Sequence, residues 1–236
     1  MDVEAERCLM EFVMTEATLR YPIPLPAPVV PSAYPEDGLL ETSALENPVS
    51  VEVRVWEAAE PGYYFQLMLN GLPLGEIRVI SENDQAGDII TVLLSETAFE
   101  HEGTYELGYK TTSPNTEVSD YSPTVTLRVD RTKPGATLLA PLIFPTATFS
   151  DQLTGLLPGY AGMQQGDVVQ TLLNGSPGPT HTVTADELTL RPVEIGFTRE
   201  HLQHHAPGMV SIEYAVTDRA GNTSITSLPM LVSVQL

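Results

Sequence analysis

Cysteine is almost missing from this chain: Cys8 is the only one in 236 residues, so no intramolecular disulfide can pin the fold. No apolar run reaches the roughly 18 residues of a membrane-spanning helix, and membrane insertion is not expected. Basic residues are scarce, 11 against 31 acidic ones, for a formal charge of −20. Such a surface repels phosphate backbones, which excludes nucleic acid as a partner and disfavours anionic membrane. Nucleophile-elbow and zinc-protease motifs are lacking, as is any glycine-rich loop joining a strand to a helix, so no enzyme is expected. The start, Met1 to Arg7, has neither a basic segment nor a long apolar one and does not read as a signal peptide. The expectation is export by another route, or a piece of a longer chain.

Proline and glycine are plentiful, at 20 and 17, scattered between short apolar runs. That suits many turns and short strands, and 42% hydrophobic residues is a globular composition. The second half also repeats the first about 105 residues later. Leu67-Met68-Leu69-Asn70-Gly71 returns as Thr171-Leu172-Leu173-Asn174-Gly175, and Gly103 to Tyr109 returns as Gly208 to Tyr214. Pro123 and Pro229 stand before the last run of each copy. Two ordinary domains, 22–131 and 132–236, follow from this, preceded by an extension, 1–21. The charge divides unevenly: 22–131 carries 18 acids and 5 bases, 132–236 only 8 and 4.

Period-two alternation predicts strands over 49–56, 64–69, 75–80, 89–94, 103–110 and 124–129 in the first copy. In the second it predicts 137–144, 167–173, 180–184, 193–198, 209–217 and 230–234. Turn chemistry such as Asn70-Gly71 bounds them. Helix is expected at one place per copy, 95–101 and 198–205, each opening on a capping hydroxyl and carrying one apolar anchor, Phe99 or Leu202. The proline-rich stretch 22–28 reads as an extended linker or sheet edge. Within the extension, 9–21 reads as a strand for a neighbouring module, with a short helix as the alternative. The fold class is all-β: two tandem immunoglobulin-like β-sandwiches with a short N-terminal extension.

Ile212 to Ser224, with Tyr214, Val216, Asp218, Ala220, Gly221 and Asn222, resembles the Y-x-V-x-D-x-A-G-N-x-S signature of bacterial immunoglobulin-like (Big-type) repeats. Asp130-Arg131-Thr132-Lys133-Pro134-Gly135 resembles the junction between such repeats. The resemblance covers about 22–236, but Lys110 to Asn115 has no D-x-A-G-N. It implies an extracellular or cell-surface location and a place among the other modules of a larger bacterial protein. The function expected is a non-catalytic spacer or adhesion module. Alternatives are a receptor- or ligand-binding region of a toxin or phage-tail-like apparatus, and an accessory carbohydrate-binding module.

Two groups of residues stand as candidate sites. Asp130, Asp218 and Asn222 offer hard oxygens of the kind calcium takes, and some relatives stiffen their junctions with that ion. Arg131, Lys133 and Arg219 sit beside them in sequence, and Glu82, Asn83, Asp84 and Asp88 make a second, weaker cluster. No other cofactor is expected. Trp56, Tyr63 and Tyr64 surround a Pro61-Gly62 turn; a core takes Trp56, while strand alternation leaves Tyr63 or Tyr64 exposed to contact a protein or glycan. His201 and His205 share a helical face at i, i+4, but a solvated turn accounts for them better than zinc.

Overall fold

In the computed structural model, residues 24–146, 152–189, 192–205 and 208–234 are described. The extension 1–21, with its strand-or-helix reading, lies outside them. The N-terminal half runs β1 (Leu39–Leu40), β2 (Val49–Arg54), β3 (Tyr64–Leu69), β4 (Leu72–Val79), β5 (Ile89–Leu94), β6 (Gly103–Thr112), β7 (Ser119–Tyr121) and β8 (Val125–Val129). The C-terminal half runs β9 (Gln152–Leu157), β10 (Val168–Leu173), β11 (Ser176–Thr182), β12 (Val193–Thr198), α1 (Arg199–Leu202), β13 (Gly208–Thr217) and β14 (Met230–Val234).

Each half is a two-layer sandwich. In the first, a sheet ordered β1-β8-β6-β3-β4, with β7 on β6, faces the pair β2-β5. In the second, β11-β10-β13-β14 faces β12-β9. Alternation fills the space between the layers, as valines 49, 51 and 53 of β2 meet Phe65, Leu67, Leu107 and Tyr109 of the large sheet. A separate cluster, from Leu139 to Val234, fills the second half. Immunoglobulin-like sandwich architecture follows from these pairings and cores.

The repeat is preserved down to single hydrogen bonds. The Tyr109 hydroxyl donates to the Pro26 carbonyl and the Tyr214 hydroxyl to the Ala140 carbonyl, each at 2.8 Å. The hydroxyl oxygens of Ser122 and Ser227 accept the backbone N–H groups of the same tyrosines. Burial raises both phenols, that of Tyr214 to about 12. Asn70 and Asn174, with φ near 50°, turn the two β-hairpins, and each side-chain oxygen takes a backbone N–H of the neighbouring strand.

Three expectations need correction. The apolar stretch 137–144 is no strand; only Ile143 bridges to Leu156, and the strand is Gln152–Leu157. Pro141 and Pro145 lack ladder donors, so the segment instead plugs Leu139 and Leu142 into the core. Helical turns occur where expected, at Glu96–Phe99 and from Arg199 to His205, but also at Ala44–Glu46 and Asp186–Leu188. Finally, the halves differ before their first long strand. Val29 bridges β2 and Ile143 bridges β9, yet 19 residues lie between Val29 and Val49 against 8 between Ile143 and Gln152. The surplus forms a loop around Tyr34, Asp37 and Thr42 that lays β1 parallel to the end of β8.

Candidate functional site

That surplus loop meets the Asp218-to-Asn222 turn of the other half. The turn closes on itself: Asp218 N–H donates to the Asn222 carbonyl at 3.0 Å, and Gly221 N–H to the Asp218 carbonyl at 3.1 Å. Both Asp218 carboxylate oxygens accept from Asn222, one from its backbone N–H at 2.8 Å and one from its side-chain amide at 3.0 Å. Gly221 has φ +87°, a conformation that costs a residue with a Cβ, and a Cβ there would stand 3.1 Å from the Thr42 hydroxyl.

The turn pushes Arg219 and Ala220 onto the N-terminal half. The Ala220 carbonyl accepts both the Thr42 N–H, at 2.8 Å, and the Thr42 hydroxyl, at 3.0 Å. The Arg219 guanidinium lays two nitrogens on the two Asp37 oxygens, each at 3.0 Å, and stacks 5.1 Å from the Tyr34 ring centre. Arg128 of β8 reaches the same carboxylate at 3.1 Å. Bonding to Arg219 holds the Asp37 carboxyl below its ordinary range, with Arg128 adding, and Asp37 in turn raises Arg219. A planar, bidentate pair over an aromatic face fixes orientation as well as proximity.

The linker is tied down on both sides. Arg131 donates its guanidinium to the Phe99 carbonyl at 2.9 Å, and Glu102 accepts the Thr132 hydroxyl at 2.7 Å and the Arg131 N–H at 3.2 Å. Those bonds, the hydroxyl first, lower the Glu102 carboxyl. Gly135 N–H donates to the Ala161 carbonyl at 2.8 Å.

Asp130, Asp218 and Asn222 are thus brought together, as hydrogen-bond partners. The Asn222 amide nitrogen donates to the Asp130 carbonyl at 3.0 Å, and an Asp130 carboxylate oxygen takes the Thr132 N–H at 3.0 Å. A cavity of about 210 Å³ lies beside them, lined by Glu102, Asp130, Lys133, Gln164 and Asp218 among others. Among the described residues no group of three His, Cys, Asp or Glu side chains is placed to hold a metal ion. Arg219, beside these oxygens in sequence, points instead to Asp37. The weaker cluster is similarly occupied: Asp84 accepts from Arg78 and Ser81, and Asp88 from the Gln85 N–H.

The aromatic trio separates. Trp56 is 6% exposed and sits in the core, with Tyr63 edge-on at 6.2 Å and Tyr109 at 6.5 Å. Tyr160 and Asp167 occupy the equivalent positions of the other half, joined by a 2.7 Å hydrogen bond. Trp56 and Tyr63 are therefore one version of an internal brace. Tyr63 and Tyr64 are each half-buried, Tyr64 on the outer face opposite Thr112 and Val79. Asp167 is fully buried with Oδ1 unpartnered; burial raises its carboxyl, and the charges of Asp218 and Asp130 raise it further. His201 helps cap α1, its Nδ1 accepting the Thr198 N–H at 3.1 Å.

Sequence reasoning missed Tyr34, Asp37 and Thr42. Pro35-Glu36-Asp37-Gly38 announces a turn, but nothing local says what docks there.

No protein-family model matches the chain, and no curated protein sequence does. Among solved structures it is similar to the fibronectin(III)-like modules of Clostridium thermocellum CbhA, with 12% identity and a TM-score of 0.44, over 89% of this chain and 93% of that one. It is also similar to dimeric latent PorU from Porphyromonas gingivalis, with 13% identity and a TM-score of 0.33, over 89% of this chain and 20% of that one.

Proposed function

We propose that this chain is a non-catalytic pair of self-sufficient immunoglobulin-like modules of the bacterial repeat type, held at a set angle, that spaces or presents other parts of a larger secreted or surface protein. The observation that carries this reading is the turn of one half seated on the surplus loop of the other. A flexible tether needs none of these contacts, whereas a stalk transmits position only if its modules do not swivel. The acidic surface supports solubility outside a cell. The uneven charge, with 18 acids against 5 bases in residues 22–131, supports the second reading, that the N-terminal half also binds a partner.

Small-angle scattering of the wild-type chain and of Asp37→Ala tests the spacer. A wild-type profile fitted by one arrangement, and a broadened distance distribution in the variant, supports it. Equal flexibility in both proteins contradicts it. Separate expression of 24–131 and 132–236, each unfolding cooperatively, checks that the modules are self-sufficient.

A further inference from the structure

We infer that strand β5 of the N-terminal half is the contact edge for a second copy of this chain, the two β5 strands pairing antiparallel about a two-fold axis at Thr91. The free side of β5 follows from the bonds of its neighbour. Glu52 of β2 exchanges both backbone bonds with Val29, its N–H donating at 2.8 Å and its carbonyl accepting at 2.9 Å, so neither group faces β5. Glu52 lies opposite Thr91, which therefore turns its own N–H and carbonyl away from β2. Alternation turns those of Ile89 and Leu93 the same way. Among the described residues β5 pairs with β2 alone, and no bond is made to these outward groups.

The repeat shows that this openness belongs to one half. Leu156 of β9 exchanges both bonds with Ile143, as Glu52 does with Val29, and it lies opposite Glu194 of β12. Glu194 is thus the counterpart of Thr91, and Pro192 and Gly196 are the counterparts of Ile89 and Leu93. A residue without an N–H, a carboxylate and a residue without a side chain blunt that edge. β4 is blunted as well, by Pro73 and a break in its register. β5 reads Ile-Ile-Thr-Val-Leu-Leu, with no charge, proline or glycine. Ile89 and Leu93 are 47% and 63% exposed, while Ile90 and Leu94 anchor the strand in the core.

Charge and symmetry select the occupant. Residues 22–131 carry 18 acids and 5 bases, so two such halves repel each other except along a line free of charge. About the axis, Thr91 faces Thr91 of the second copy and Ile89 faces its Leu93. Each pair exchanges both bonds, hydroxyl beside hydroxyl and apolar beside apolar. On the outer face the two Glu52 side chains then stand three strand spacings apart, about 14 Å, beyond the screening length of physiological salt. Because the C-terminal edge is blunted, pairing closes at two copies. An edge of 6 residues makes a small interface. Its dissociation constant then falls at about 0.1–1 mM, and the chain is monomeric at about 10 µM and below. This inference does not depend on the angle between the halves.

The test is sedimentation equilibrium of the full chain from about 10 µM to about 2 mM, with amide resonances followed over the same range. The inference expects reversible dimers, with the amides of Ile89, Thr91 and Leu93 shifting more than those of Ile90 and Val92, which face β2. Thr91→Glu puts at the axis the residue type that the other half carries, and should weaken association about ten-fold or more with the melting temperature retained. Leu93→Glu, at a solvent-facing side chain, should weaken it as well. Combining Ile89→Lys with Leu93→Glu should restore association, because position 89 of each copy faces position 93 of the other. The inference fails if the chain stays monomeric throughout, or if association continues past the dimer. It also fails if either single variant dimerises as tightly as wild type, or if the double variant stays as weak as Leu93→Glu.

Discussion

Arg219 and Asp37 are 182 residues apart in sequence and meet through two parallel 3.0 Å hydrogen bonds. One lies on the tip of a turn in the C-terminal half, the other on a loop of the N-terminal half that is longer than its counterpart in the other, so the contact joins the two halves. Both side chains are partly exposed, which keeps the pair's coupling to about 1 kcal/mol. A double-mutant cycle with Arg219→Ala and Asp37→Ala, followed by urea unfolding, should return a coupling of that size. Additive effects of the two substitutions would remove the pair from the junction's stability.

The same pair sets an acid limit. Asp37 has a folded-state pKa below its unfolded value, so its contribution is full above the unfolded pKa and disappears as pH falls through the folded one. Melting temperatures of wild type and Asp37→Asn, measured from pH 6 down to 2, should differ at the top of that range and converge at the bottom.

Asp167 has the opposite sign. Its folded pKa is raised, so the folded state favours the protonated form, and stability is lost as pH rises through that pKa. Asp167→Asn keeps an oxygen for the Tyr160 hydroxyl while removing the buried charge. The variant should melt a few degrees above wild type at pH 7.5, with the gain shrinking toward pH 4. A variant less stable at both pH values would contradict this reading of Asp167.

Tyr109→Phe and Tyr214→Phe each leave a backbone carbonyl, of Pro26 or Ala140, without its hydroxyl donor. Each should cost about 1–2 kcal/mol in denaturant unfolding, and the two should add, because they belong to separate cores.

Much of this was legible in the chain because it is local. Alternation fixes the strands from Tyr64 to Leu69 and from Val193 to Thr198 at their observed ends, and Asn-Gly marks both hairpins. The stretch 137–144 misled because its leucines are buried while its prolines forbid a ladder, and alternation cannot weigh donors. Gln152–Leu157 was passed over because Gly155 stands where an apolar side chain is expected; the rings of Phe144 and Phe197 fill the space a Cβ would take. Asp218, Gly221 and Asn222 are residue types that favour turns, and Asp218 here takes the backbone N–H four residues on. Their docking partner was not legible, since Asp37 and Thr42 reach them only through the tertiary arrangement.

Calcium gives a separate check on Asp130 and Asp218. Their oxygens are already engaged by Asn222 and Thr132, so melting curves in millimolar calcium and in EDTA should coincide. A rise of many degrees with calcium would mean that these carboxylates exchange their hydrogen bonds for the ion.

The central claim is that the turn on the loop holds the halves at one angle. Spin labels placed on exposed Leu93 and Leu231, one in each half, with Cys8 replaced by serine, measure this directly by pulsed dipolar spectroscopy. The account predicts a single narrow distance distribution that broadens when Arg219 becomes alanine. A distribution that is broad in both proteins would contradict it.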